Sequence, residues 1–194
     1  MKVNEIFNSF QGEGIYTGVP ATFLRLAGCN LNCDFCDTNF KQYDELPVNM
    51  VKNILIENME KHKTNIVVIT GGEPLLQYNE VKQLIDELKC KVQIETNGTI
   101  IKIPLNATYM ISPKTDIEKI FLFYKNYDKA HFKFIIQNKK DLQQLNKLLQ
   151  DYDEIVWLQP EYSKAQKITE LILNTDLNFN YRISGQLHKY LGVE

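Results

Sequence analysis

Short, continuous apolar runs recur along the whole chain, and they constrain its fold more than any other feature. They are Thr22–Leu26, Ile66–Thr70, Val92–Glu95, Tyr109–Ser112, His131–Ile136, Ile155–Gln159 and Asn180–Ile183. Unbroken apolarity over a few residues marks a strand covered on both faces, as in parallel sheets flanked by helices. Amphipathic helical patterns lie between several runs. Val81, Leu84, Ile85 and Leu88 form one stripe at i, i+3, i+4, i+7, and Leu142, Leu145, Leu148 and Leu149 form another. Ser163-Lys-Ala-Gln166 has the form of a capping box opening a helix through Leu173. This alternation predicts an α/β fold with a parallel sheet and right-handed crossovers. With 194 residues there is too little chain for eight full β/α units. The expectation is a trimmed, open, TIM-like barrel of about six parallel strands, in a single domain over 1–194.

Nothing divides the chain further: no repeat, low-complexity stretch or Gly/Ser linker is present. The formal net charge of −2 leaves no general nucleic-acid footprint, and Lys61-His-Lys63 and Lys139-Lys140 read as solvated helix ends. No apolar run reaches membrane-spanning length, so no membrane partner is expected. Unpaired cysteines without a signal-like N-terminus predict a reducing, cytoplasmic setting.

Cys29, Cys33 and Cys36 fall within eight residues, Cys29-Asn-Leu-Asn-Cys33-Asp-Phe-Cys36, immediately after an apolar run. A structural zinc site or an ordinary iron–sulfur cluster takes four protein ligands. Three thiolates on one short loop leave a metal position open, where a substrate or cofactor can bind. Half of a zinc site is the competing interpretation, with Cys90, His62, His131 and His188 as the available completers. Cys90 has no second ligand at close spacing and reads as a small core residue. A disulfide framework does not suit so long and cysteine-poor a chain.

Most of the predicted strands end in a polar motif. The first runs from Arg25 into the cysteine loop; later ones end in Thr70-Gly-Gly-Glu-Pro74, Glu95-Thr-Asn-Gly98, Ile111-Ser-Pro-Lys114, Leu158-Gln-Pro160 and Arg182-Ile-Ser-Gly-Gln186. Ligands of parallel α/β folds sit at the carboxyl ends of the strands, so these motifs converge on one mouth. Gly71-Gly72 allows backbone to approach a ligand, and Glu73 is an acceptor for a ligand ammonium.

The cysteine loop, with an aromatic residue before its last cysteine, resembles the cluster loop of radical S-adenosylmethionine (SAM) enzymes. Gly-Gly-Glu-Pro one strand later resembles their segment for the methionyl amino group. Phe10-Gln-Gly-Glu-Gly14, Arg25 within Phe-Leu-Arg-Leu-Ala-Gly-Cys, Cys36-Asp-Thr38, Ile111-Ser-Pro-Lys114 and the tail Ser184-Gly-Gln-Leu-His-Lys-Tyr-Leu-Gly192 narrow the likeness. Together they resemble the 7-carboxy-7-deazaguanine synthase family, which serves queuosine and 7-deazapurine biosynthesis.

That resemblance implies a radical SAM core and a carbon–nitrogen lyase. The substrate would be 6-carboxy-5,6,7,8-tetrahydropterin and the product 7-carboxy-7-deazaguanine, with loss of ammonia after hydrogen removal from C6. Cys29, Cys33 and Cys36 would hold a [4Fe–4S] cluster, and Thr38 a Mg²⁺, which takes few protein ligands and keeps its waters. SAM would meet Phe35, Asp37, Gly72, Glu73, Ser112, Pro113, Lys114 and Gln159. The pterin would meet Phe10, Gln11, Gly12, Glu13, Arg25, Thr70, His188 and the terminal carboxylate of Glu194. Arg25 suits a carboxylate by bidentate contact, and Glu13 with Gln11 suits a guanidine-like ring edge. An external donor such as flavodoxin or ferredoxin and a homodimer are further expectations. A glycyl-radical enzyme activase and a non-enzymatic iron–sulfur or zinc module are the alternatives. The first leaves Gln-Gly-Glu-Gly and His188 unexplained, and the second leaves the strand-end motifs unexplained.

Overall fold

The computed structural model describes residues 1–34, 36, 39 and 41–193. Among them, nine strands form one sheet: β1 (Lys2–Phe10), β2 (Pro20–Leu26), β3 (Asp44–Glu45), β4 (Ile66–Gly71), β5 (Lys91–Thr96), β6 (Thr108–Ile111), β7 (Ala130–Ile136), β8 (Val156–Pro160) and β9 (Tyr181–Ile183). Their order is β3-β1-β2-β4-β5-β6-β7-β8-β9. From β2 to β9, every neighbouring pair is parallel, which makes seven parallel strands. β1 lies antiparallel on β2, and β3 antiparallel on β1. The sheet ends at β3 and β9, so the barrel is open, as expected.

The antiparallel strap of β1 and β3 is absent from the sequence-based expectation. Lys2–Phe10 carries too many polar residues to read as a core strand, and Val3 is its one fully buried residue. Pairing with β2 from Val3↔Leu26 to Phe10↔Pro20 holds it in place.

Among the described residues five helices cover the outside, α1 (Val48–His62), α2 (Tyr78–Glu87), α3 (Ile117–Tyr124), α4 (Lys139–Leu148) and α5 (Ala165–Leu173), and a short sixth, α6 (Leu187–Leu191), lies against the loop after β1. Outward residues of the sheet, Leu24, Val67, Ile69, Ile94, Phe132 and Leu158, share one core with Leu55 of α1, Leu84 of α2, Leu142 of α4 and Ile172 of α5. Each such burial stabilises by about 1.5–3 kcal/mol. The expected stripes of α2 and α4 are the buried faces of those helices. Cys90 packs half-buried against the same core.

Two expectations need correcting. Ser163 does not open α5 through a capping box; Glu161 accepts from Ser163 N and Oγ, both at 2.9 Å, and caps a 3-10 turn at Tyr162–Lys164. A capping box exists instead on α4, between Asn138 and Asp141. Second, no helix links β5 to β6. Residues 97–107 make that crossing, tied by Tyr109 Oη accepting from Leu105 N and Tyr127 Oη donating to Leu105 O, each 2.8 Å.

Strand side chains alternate faces. Where outward residues build the core, Arg25, Thr70, Gln93, Glu95, Lys133 and Gln159 point inward. Below them Ala21, Phe23, Ile66 and Val68 fill the interior on the β2–β4 side. Polar side chains of successive strands thus meet above an apolar floor.

Candidate active site

A cavity of about 630 Å³ opens at the carboxyl ends of the parallel strands. Cys29, Cys33 and Cys36 line one side of it; Gln11, Gly12, Glu13, Glu95, Lys133, Gln159, Gln186 and His188 line another.

The cysteine side is built from backbone. Gly72 N donates to Leu26 O at 3.1 Å and Glu73 N to Gly28 O at 2.8 Å, binding the end of β4 beneath the loop that follows β2. A Cβ on Gly71, where φ is 129°, would sit 2.0 Å from Leu26 O. One on Gly72 would sit 2.0 Å from Gly28 O and 2.9 Å from the Cys29 Cβ. These glycines are therefore demanded by the packing of the loop itself. Asn97 Nδ2 donates to Asn30 Oδ1 at 3.1 Å and Asn30 Nδ2 to Thr99 Oγ1 at 2.8 Å, which ties the loop to the end of β5. Burial pushes the Cys33 thiol up, Lys114 opposes that, and the neighbouring thiols of Cys36 and Cys29 reinforce it. Among the described residues no three His, Cys, Asp or Glu side chains converge on a single-ion site.

Glu73 lies beneath the cavity surface, with no exposed area. Its carboxylate accepts from Leu75 N at 2.9 Å, Thr96 Oγ1 at 2.8 Å and Asn97 N at 2.8 Å. It fastens the β4 and β5 ends together. Burial raises its carboxyl above the usual range against those three donors. Pro113 borders a separate hollow of about 100 Å³ and not the main cavity. Ser112 and Lys114 on either side of it do face the cavity, joined by a hydrogen bond from Lys114 Nζ to Ser112 Oγ. Burial, and then the charge of Lys133, lower the Lys114 ammonium to about 8.

The opposite side is built from side chains far apart in sequence. Lys133 Nζ donates to Glu13 Oε2, and to Glu95 Oε2 at 3.1 Å. Gln11 and Gln93 donate to Glu95 Oε1 at 3.0 and 2.6 Å, and Gln186 to Glu13 Oε1 at 2.8 Å. Burial opposes charge on Glu13, but Lys133 prevails and brings the carboxyl down to about 2. Burial lowers Lys133 less than the two glutamates raise it, so its ammonium stays protonated. Glu95 goes up, through burial and against the pull of Lys133, with the negative charge of Glu13 adding to the rise.

On the rim, Arg25 Nε donates to Glu5 Oε1 at 2.5 Å, and the guanidinium lies 5.1 Å from the centre of the Phe7 ring. α6 docks by Leu187 N donating to Gly12 O at 3.0 Å, and His188 Nδ1 occupies the point 2.0 Å from where a Gly12 Cβ would stand.

Phe10, Gln11, Gly12, Glu13, Arg25, Thr70, Gly72, Ser112, Lys114, Gln159, His188 and the three cysteines thus share one cavity wall. Phe35, Asp37, Thr38 and Glu194 lie outside the described residues. Sequence reasoning missed Lys133 and the partnership of Glu5 with Arg25. Lys133 had left a signal: a lone cation inside the apolar run His131–Ile136 needs a buried counter-charge. Of the candidate zinc completers only His188 reaches the cavity.

Residues 24–137 match the model of the radical SAM superfamily. The chain is 34% identical to a 7-carboxy-7-deazaguanine synthase of Buchnera aphidicola, with 98% of each chain covered. It is 37% identical to the enzyme of that name from Rickettsia prowazekii, over 100% of this chain and 89% of that one. The crystal structure of QueE from Escherichia coli superposes with a TM-score of 0.69 at 28% identity, covering 96% of this chain and 94% of that one. Loop, strand-end motifs and full-length similarity agree: the chain belongs to the radical SAM superfamily and, within it, to the 7-carboxy-7-deazaguanine synthase family.

Proposed function

We propose that this protein converts 6-carboxy-5,6,7,8-tetrahydropterin into 7-carboxy-7-deazaguanine with loss of ammonia, using a [4Fe–4S] cluster and SAM. One observation carries the reading: a three-cysteine loop and a recess of carboxylates and glutamines face each other across one cavity. The cluster and SAM, when bound, supply one-electron chemistry that removes hydrogen from an unactivated carbon.

The residues of the chain bind and orient. Cys29, Cys33 and Cys36 hold the cluster, and the backbone at Gly72 with Ser112, Lys114 and Gln159 borders the SAM position. Phe35 and Asp37 are assigned to the same cofactor, and Thr38 to a Mg²⁺, from their place in the family motif. Glu73 and Pro113 act on SAM only by shaping the turns that carry their neighbours. Glu5 and Phe7 fix the plane of the Arg25 guanidinium, as bidentate recognition of a substrate carboxylate requires. Ionised Glu13, with Gln11, accepts from and donates to the aminopyrimidine edge of the pterin. Phe10, Gly12, Thr70 and His188 complete the pterin pocket, and Glu194 is assigned to it from the family resemblance. The apolar floor and the enclosing strands keep water from the reacting carbon.

A flavodoxin- or ferredoxin-type protein as electron donor, a homodimer and a cytoplasmic location complete the reading; no helix among the described residues is long and apolar enough to cross a membrane. The test is anaerobic reconstitution followed by reaction with SAM, dithionite and the carboxytetrahydropterin, read by mass spectrometry. About four irons per chain, 5′-deoxyadenosine and the deazaguanine product are expected. One tightly held zinc without SAM cleavage, or SAM cleavage that never yields the product, overturns the reading.

A further inference from the structure

We propose that Lys133 is a positioning residue for the substrate: its ammonium ties Glu13, on the loop after β1, to Glu95, at the end of β5, and thereby sets the carboxylate that reads the pterin edge. The inference rests on the pterin reading of the cavity.

The site is charged and lies on the wall of the cavity. Lys133 is 5% exposed, in the middle of β7, with its side chain on the inner face of the barrel. Two carboxylates that reach the cavity with 15% and 16% of their side chains exposed share its single positive charge. Each is also held by glutamines: Glu95 by Gln11 and Gln93, and Glu13 by Gln186 and, at 3.4 Å, by Gln159. Glutamine donors orient a carboxylate but bring no charge to offset its desolvation, whereas an ammonium does both. Two like charges this close and this buried cannot both ionise without a cation between them. With Lys133 removed, the pair would share a proton, and Glu13 would be a weaker acceptor and would lose its fixed orientation.

The geometry also explains why a lysine suits the position. Glu13 and Glu95 come from elements that share no backbone pairing in the sheet, since β1 lies beyond β2 and β4 from β5. A compact ammonium on a flexible stem reaches both from the far wall. Gln93 Oε1 beside Glu95 is buried without a hydrogen-bond partner among the described residues, and the charges of His188 and Lys114 also act on Glu13, so Lys133 is the cation bonded to both carboxylates and not the sole cation near them.

The test is a double-mutant cycle on the reconstituted enzyme, with KM for the carboxytetrahydropterin, uncoupled SAM cleavage and iron content measured in parallel. Lys133→Met keeps most of the apolar stem and removes the charge. Its pterin KM should rise by about tenfold or more, the usual scale for orphaning a hydrogen-bonded charge, while iron content stays near wild type. Adding Glu95→Gln to Lys133→Met removes the like-charge conflict and should recover at least about threefold of that loss, although Glu95→Gln alone is expected to be harmful. A purely structural lysine would give additive losses in the cycle, and that result overturns the proposal. If Lys133→Met fails to hold its cluster, Lys133→Arg and Lys133→Gln decide. Retained KM in the arginine variant with raised KM in the glutamine variant supports the role of charge; equal behaviour of the two overturns it. Wild-type enzyme that binds and cleaves SAM but never turns over the pterin refutes the proposed conversion and not the reading of a pterin edge by Glu13, which fluorescence titration with 6-carboxypterin in wild type and Lys133→Met then tests. Weaker binding in the variant is expected; equal binding overturns the proposal.

Discussion

The two sides of the cavity are built by opposite means. The cysteine side is a contiguous loop held by backbone contacts: two glycines that tolerate no Cβ, and Glu73 pinning the adjacent turns. The opposite side, which we assign to the substrate, is an assembly of side chains from β5, β7, β8 and the loops after β1 and β9, held by charge and by amide donors. Steric demands of a backbone are local and unforgiving, whereas a charge network is distributed and can be retuned one member at a time. Damage to the first side should abolish chemistry; damage to the second should degrade recognition and leave SAM cleavage standing.

The largest expected effect is on the cysteines. Cys29→Ala, Cys33→Ala and Cys36→Ala should each lose the cluster, with no detectable SAM cleavage, while Cys90→Ala, on the outer core, should keep both. Iron content and 5′-deoxyadenosine formation check this. An active Cys33→Ala variant would remove the basis of the comparison.

Next comes Gly72→Ala. Its Cβ meets the Gly28 carbonyl at 2.0 Å, a backbone obstacle, so the loop must shift. A cost of about 1–3 kcal/mol in stability and a marked loss of bound iron are expected, from denaturant melts and iron analysis. Gly12→Ala meets His188 instead, chiefly its side chain, on the short α6. There stability should change by less than about 1 kcal/mol, and the pterin KM should rise. Equal destabilisation by the two alanines would show that the sides do not differ as described.

Arg25→Lys is expected to lower pterin turnover about tenfold, or about 1.4 kcal/mol, by losing the planar fork while keeping the charge. Uncoupled SAM cleavage should survive. Wild-type kinetics in this variant would remove Arg25 as the carboxylate clamp.

The smallest effect sharpens the electrostatic half. The Glu13 carboxyl is lowered from 4.5 to about 2, so its contribution to stability is full above pH 4.5 and is lost as the pH falls towards 2. Lys133, raised from 10.5, contributes fully below that pH and loses its contribution above it. Glu95 and Glu73 have the opposite sign, since raised carboxyls erode stability as the pH climbs from 4.5 through their folded values. Urea midpoints against pH should therefore fall below pH 4.5 in wild type, and the fall should be shallower in Lys133→Met. An unchanged acid limb in that variant would mean that Lys133 does not govern Glu13.

How much was legible follows the same division. The runs at Thr22–Leu26, Ile66–Thr70 and His131–Ile136 marked their strands because burial on both faces leaves a compositional trace, and the α2 and α4 stripes marked their inward faces. The strap β1 left no such trace, because pairing with β2 holds it and apolarity does not. Glu73 looked like a ligand because carboxylates next to glycines at strand ends often are; its three protein donors became visible only with the fold.

By itself the sequence determined the parallel α/β scaffold, the thiolate loop and the strand ends that meet at one mouth, since each depends on residues close together in the chain. The tertiary structure alone decided that Lys133 stands between Glu13 and Glu95, that Glu5 holds Arg25, and that the glycines serve the loop they underlie. Those are relations between elements brought together by the sheet, and charge pairing across such distances follows folded geometry and not spacing in sequence.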